Sequence, residues 1–336
     1  MFMSRKKLSL GLSATALVFC GVCVSPVSAA PAGSVKGSEF HHLKSIFEPS
    51  AVQQLADGRL LVIEDEPDRA FSLLKIASNG TLTEDDAADT ALMKSIKGRL
   101  SDLEALAVDA GGYIYASTSY SKTKKGERQP ERERLVRFKL EGNSVKDMRD
   151  APNIKEALKK AQNVHKAVQG KIGRNVDFEN LDIEAMVYDD AGKRLLLGLR
   201  EPLANGISMI IPINNPAAMF EKKAAPVFGE TVFLDIKGSG IRSLDYDPET
   251  KVYSITNEVR NPDGGKDYSQ LWFWNGDAKS PARPVNLPEI KSLKNAEAVG
   301  FAKFNGKQHL VVMGDEGSKK KQRPARYFII DAAKLK

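Results

Sequence analysis

Five stretches of the chain open alike, and the first residue of each is the one best able to do chemistry. They read Ser50-Ala51-Val52, Glu104-Ala105-Leu106, Glu184-Ala185-Met186, Arg242-Ser243-Leu244 and Glu297-Ala298-Val299. After a turn, a second apolar stretch ends in further polar groups: Glu64-Asp65-Glu66, Ser119, Arg200-Glu201, Asn257-Glu258 and Asp315-Glu316. Carboxylates in a chain with four histidines and two cysteines are hard oxygen ligands. Such a set suits Ca²⁺ or Mg²⁺ better than zinc, which makes Glu104, Asp182, Glu184, Glu297, Asp315 and Glu316 the candidate metal ligands. Arginine can neutralise the same acids, so Arg200 and Arg242 could instead complete a purely structural ring of ion pairs. Both readings stand at this level.

Arg200, Arg242, Glu201 and Glu258 are the candidate contacts for a small anionic ligand. The loops Lys122–Arg128 and Lys319–Arg323 would form a basic rim to the same site, or else be ordinary solvated lysine loops. Other chemistry is poorly represented. The chain has no Gly-x-Ser-x-Gly elbow, no phosphate-binding Gly-Lys-Ser/Thr loop and no histidine pair at ligand spacing. His41, His42, His165 and His309 read as surface or packing residues, and Trp272, Phe273 and Trp274 as core. No organic cofactor is expected.

The elements that must position these residues are strands. The five openings are spaced by 54, 80, 58 and 55 residues, and the long interval contains a helical pattern. Ile154, Ala157, Leu158, Ala161, Val164 and Val168 fall at helical spacing, Asn153 with Glu156 makes a capping box, and Gly170 can end the helix. One inserted helix is therefore expected between the second and third units. Turn residues such as Asp57-Gly58 and Asn305-Gly306 separate the first and second strands of a unit. Second strands such as Leu60–Ile63 and Leu195–Leu199 are continuously apolar, as strands buried on both faces must be. Four strands per unit at a period near 55 predict an all-β β-propeller of five blades, with a degenerate sixth left open. Phe40–Phe47 would supply the outer strand missing after Ala332. In that architecture the start of a blade's first strand and the end of its second lie at one mouth of the channel, where the polar residues above would gather.

Before the repeats, Arg5, Lys6 and Lys7 precede an apolar run from Leu8 to Val24, and Val27-Ser28-Ala29-Ala30 offers small residues for cleavage. That is a signal-peptide pattern over residues 1–29, with cleavage after Ala29 or Ala30 and one propeller domain over residues 30–336. Both cysteines fall in the removed segment, so the mature protein has no thiol chemistry, and the periplasm or the medium is its expected location. Three of the 50 basic residues and none of the 43 acidic ones leave with it, so the net charge falls from +7 to +4. That mild excess, with alternating charges and no reader motif, argues against nucleic acid as a partner. No membrane span is expected after cleavage, and the partner would be a small anionic ligand or a periplasmic protein.

Leu181-Asp182-Ile183-Glu184-Ala185-Met186, followed by Arg194-Leu195-Leu196-Leu197-Gly198-Leu199-Arg200, resembles the bacterial family known as domain of unknown function 3616. Asn295-Ala296-Glu297-Ala298-Val299 and Val312-Met313-Gly314-Asp315-Glu316-Gly317 resemble the same signature repeated. The resemblance implies a propeller and no particular activity. More remotely, the Asp-x-Glu-Ala and Asp-Glu-Gly pieces resemble exported phytase-like and esterase-like propellers. That likeness implies Ca²⁺-dependent phosphoester hydrolysis with Glu184, Glu297, Asp315 and Glu316 around the channel. Arg242 and Ser50 depart from it, since they stand where a complete acidic ring would need acids.

Overall fold

The computed structural model describes residues 39–261 and 264–335. Met1–Ala30, with the expected export signal and both cysteines, lies outside the described residues. The described chain forms five antiparallel sheets of four strands each. Their first strands, Pro49–Gln54, Leu103–Val108, Asp182–Asp189, Ile241–Asp247 and Ala296–Phe304, pack side by side in a closed ring, the last against the first. This is a five-bladed propeller.

The apolar residues sort by blade face. Along the second strand of blade three, Leu195, Leu197 and Leu199 face a core shared with blade two, while Leu196 faces one shared with blade four. Blade one meets blade two through Leu61 and Ile63, and blade five through Leu60 and Val62. Alternate side chains of a strand point to opposite faces, and here both faces are covered. The continuous apolar reading of these strands follows from that. Trp272 and Trp274 are buried between blades three and four, and Phe273 between blades four and five.

Closure uses the N-terminal segment, as its position before the first repeat predicts. His41 and His42 pair with Tyr327 and Arg326 as the outermost strand of blade five. Behind them Leu43 and Ile46 are buried against Val52, Val311 and Tyr327, which joins blade one to blade five.

The insertion differs from the single helix expected. It is two helices, α2 (Ile154–Leu158) and α3 (Gln162–Ile172). The Asn153 cap is present, its side chain accepting from the Glu156 N–H at 3.0 Å. The helix runs through Gly170 and ends at Gly173, whose φ of 72° supplies the left-handed terminus. Ile154, Leu158, Val164 and Val168 bury themselves in the core between blades two and three. Helix α1 (Asp86–Ser95), between blades one and two, and α4 (Pro216–Lys222), in blade three, were not expected. Among the described residues no helix is long and apolar enough to cross a membrane.

Candidate functional site at the channel mouth

Each blade carries a β-bulge at the same place. Register breaks between Pro49 and Ala51, Leu103 and Ala105, Ile183 and Ala185, Ile241 and Ser243, and Ala296 and Ala298. The extra residues are Ser50, Glu104, Glu184, Arg242 and Glu297, the five that open the sequence repeats. A bulge leaves one residue without a partner on the neighbouring strand and re-aims its side chain. Repeated five times around a closed ring, it delivers one side chain per blade to the throat. Blade three has a second break, because Asp182 pairs with Glu201 and Ile183 with Leu199, which makes Arg200 an extra residue as well.

Arg242 links its two ring neighbours. Its Nη1 donates to Glu184 Oε2 at 2.9 Å and to Glu297 Oε1 at 2.8 Å, and its Nη2 to Glu258 Oε2 at 3.2 Å. Arg200 Nη1 donates to Glu184 Oε1 at 2.6 Å and lies 3.6 Å from Asp182. Glu184, almost fully buried, is therefore held by two guanidiniums. Glu297 and Asp182 each have one guanidinium beside them, and Glu104 has none among the described residues. Desolvation, then the charges of Glu184 and Glu297, push Glu104 well above the usual carboxylate range, and desolvation with the Glu184 charge does the same to Glu297. Desolvation and Glu184 push Asp182 up to about 7 against the pull of Arg200. Asp182 thus titrates near neutral pH, while the acids beside the two guanidiniums keep both arginines charged.

On the other side, Asp102 accepts from Ser119, from Arg132 and, at 3.2 Å, from Ser121. Asp315 lies beside Asn295, whose carbonyl accepts its N–H at 2.7 Å, and burial raises its pKa. Glu316 turns away from the ring, paired with Arg326 at 2.5 Å and accepting from the Lys294 N–H. The expected basic rim is partly spent inside the protein. Lys122 pairs with Glu179, Arg128 with Glu133 and Glu156, and Lys319 with Glu66.

The calcium ion implied by the remoter resemblance needs several carboxylates meeting at one point. Here the position between Glu184 and Glu297 is taken by a guanidinium. Among the described residues no three His, Cys, Asp or Glu side chains form a group that could hold a metal ion. The residues present do not fit the ion.

Arg200, Glu201, Arg242 and Glu258, the four residues singled out for an anionic ligand, line one cavity of about 360 Å³ between blades three and four. Leu203, the loop Gly238–Gly240, Arg260 and Asp267 complete it. Of Arg200 only Nη1 is engaged by the described residues, which leave Nε and Nη2 unpartnered on a side chain that is 44 % exposed. Arg260 makes no hydrogen bond or ion pair with the described residues. Gly240 lets the loop approach blade three, since a Cβ there would sit 2.2 Å from the Arg200 carbonyl oxygen. Arg260 was missed in the sequence, although it stands two residues beyond Glu258, where strand alternation places both on one face.

A family model described as protein of unknown function (DUF3616) matches residues 90–331, and the chain belongs to this family. No curated protein matches the sequence. Among solved structures the chain is similar to hydrazine synthase of Kuenenia stuttgartiensis, at 12 % identity and a TM-score of 0.36, covering 84 % of this chain and 59 % of that one. It is also similar to a GH43 β-xylosidase/α-arabinofuranosidase from a compost microbial metagenome, at 13 % identity and a TM-score of 0.46, covering 88 % and 94 %. A third is α-L-arabinanase of Cellvibrio cellulosa, at 10 % identity and a TM-score of 0.43, covering 87 % and 92 %. No activity passes from these proteins to this chain.

Proposed function

We propose that this DUF3616 member is an exported binding protein that holds a small anionic ligand at the channel mouth, in the cavity between blades three and four. One observation carries the reading: Arg200 and Arg260 bring guanidinium donors that no described residue engages to a single concave site whose third arginine, Arg242, is fixed by three carboxylates. Guanidinium donors match carboxylate and phosphate oxygens in geometry as well as charge. The backbone N–H groups of Gly238, Ser239 and Gly240 hydrogen-bond to no other described residue and add donors at the cavity edge. A concave site favours a small ligand over the face of a protein partner. Export rests on the basic, apolar and small-residue order of residues 1–30.

Calorimetric titration of the mature chain with inorganic phosphate tests the reading. Saturable binding is expected in the wild type and a loss of roughly tenfold or more in Arg260→Ala. Equal binding by both proteins, or none by either, would remove the assignment.

A further inference from the structure

Resting on that reading, we infer that the ligand is a hydroxylated anion, a sugar acid or sugar phosphate in chemical class, and not a bare anion or a polyanion. The same cavity also carries acceptors. Glu201 uses one carboxylate oxygen, Oε2, to accept from the Leu203 N–H at 3.2 Å, and its Oε1 has no partner among the described residues. Glu258 gives only Oε2 to Arg242, and no described residue engages its Oε1. A cavity built only for a simple anion would not carry unpaired carboxylate oxygens, because each repels the guest. A ligand with several negative charges would meet Glu201, Glu258 and Asp267 together.

Free donors and free acceptors in one cavity are complementary to a guest that carries both kinds of group. Its anionic end would take Arg200 Nε and Nη2 and the Arg260 guanidinium, and its hydroxyls would donate to Glu201 and Glu258. The walls point the same way. Apart from glycine, Leu203 is the only apolar residue among those that line the cavity, so the guest must be polar along its length. The volume of about 360 Å³ exceeds what a phosphate or acetate ion fills. A polyol chain or ring bearing one anionic group satisfies the size, the donors and the acceptors together.

The test is calorimetric titration of the mature chain at fixed ionic strength. D-gluconate and glucose 6-phosphate represent the two sources of the chemistry, and acetate, inorganic phosphate and glucose serve as partial probes. The inference expects one of the hydroxylated anions to bind roughly tenfold or more tightly than its bare counterpart, and glucose to bind weakly. Which of the two prevails identifies the anionic group. Glu201→Gln should erase most of the advantage over the bare anion, because it weakens the acceptor offered to the hydroxyls and relieves the repulsion of the bare anion. If acetate or phosphate binds as well as its hydroxylated counterpart, the hydroxyl-recognition inference is overturned and the anion site stands. If none of the five binds, both fail.

Discussion

Arg242 and Glu184 occupy equivalent bulge positions in adjacent blades and meet at 2.9 Å across the blade boundary. Five blades place five side chains in the throat, and this pair decides its electrostatics. A guanidinium in a ring otherwise occupied by Ser50, Glu104, Glu184 and Glu297 offsets the charge of the two ring glutamates it touches, Glu184 and Glu297. Replacing Arg242 with leucine leaves Glu297 and Glu258 without their guanidinium and Glu184 with Arg200 alone. Removing one partner of a buried pair costs about 3–5 kcal/mol, and denaturant unfolding should report a loss of that order. Glu297→Gln in the same background should recover part of it, and no recovery would mean that the pair with Glu297 contributes nothing.

Gly240 is predicted to be intolerant of a side chain. The first atom of one would fall on the Arg200 carbonyl oxygen, so Gly240→Ala must push the loop away from blade three. A stability loss of about 1–3 kcal/mol is expected, as for other forced overpacking, together with weaker anion binding because Arg200 moves. Gly58→Ala, at a turn with nothing within 4 Å of its Cβ, is the control. Its φ of 87° costs stability too, but anion binding should be unchanged.

Asp245 predicts a pH dependence. It lies buried below the throat, where it accepts from Gln53 at 2.9 Å and from the Phe301 N–H at 2.6 Å and so ties blade four to blades one and five. Burial pushes its pKa up to about 6 from an ordinary value of 3.8. Between those values the folded protein binds more protons than the unfolded chain, so this group makes stability fall as pH rises from about 4 to about 6 and then level. Asp245→Asn should flatten that part of the stability curve. A slope unchanged in the variant would assign the dependence to other acids.

Much of this site was legible in the sequence because the repeats place chemistry at a fixed phase. Ser50, Glu104, Glu184, Arg242 and Glu297 open the five units, and hairpin turns with continuously apolar second strands make them blades. That each opens on a bulge was not legible, since a bulge is one extra residue in a register that only the paired strand reveals. Helix α1 escaped notice because it packs weakly, with only Ala88, Asp89 and Leu92 buried. It is held through Asp89, which accepts from the Leu73 N–H and from Arg69. Glu316 was assigned to the throat by its place after the second strand. The direction of its side chain is set by Arg326, ten residues on, which adjacency in sequence does not disclose.

Ring closure depends on a short segment. Ile46 is fully buried in the core between blades one and five, so Ile46→Ala should cost about 2–5 kcal/mol. Hydrogen exchange should then quicken first in the outer strands of blade five. Uniform acceleration over all five blades would mean that the propeller opens as one unit.

Calcium offers a further check. If guanidiniums do the neutralising, the melting midpoint should be the same in EDTA and in added Ca²⁺. A ligand that binds only the folded state raises the midpoint with concentration, so a saturable rise that disappears in Glu184→Gln would contradict this account of the throat.

Anion binding at the channel mouth should register in the melting midpoint of the mature protein as inorganic phosphate replaces chloride at constant ionic strength. The account predicts a saturable rise in the wild type that is absent in the Arg200→Gln, Arg260→Ala double variant. A rise of equal size in both proteins, or no rise in either, would contradict it.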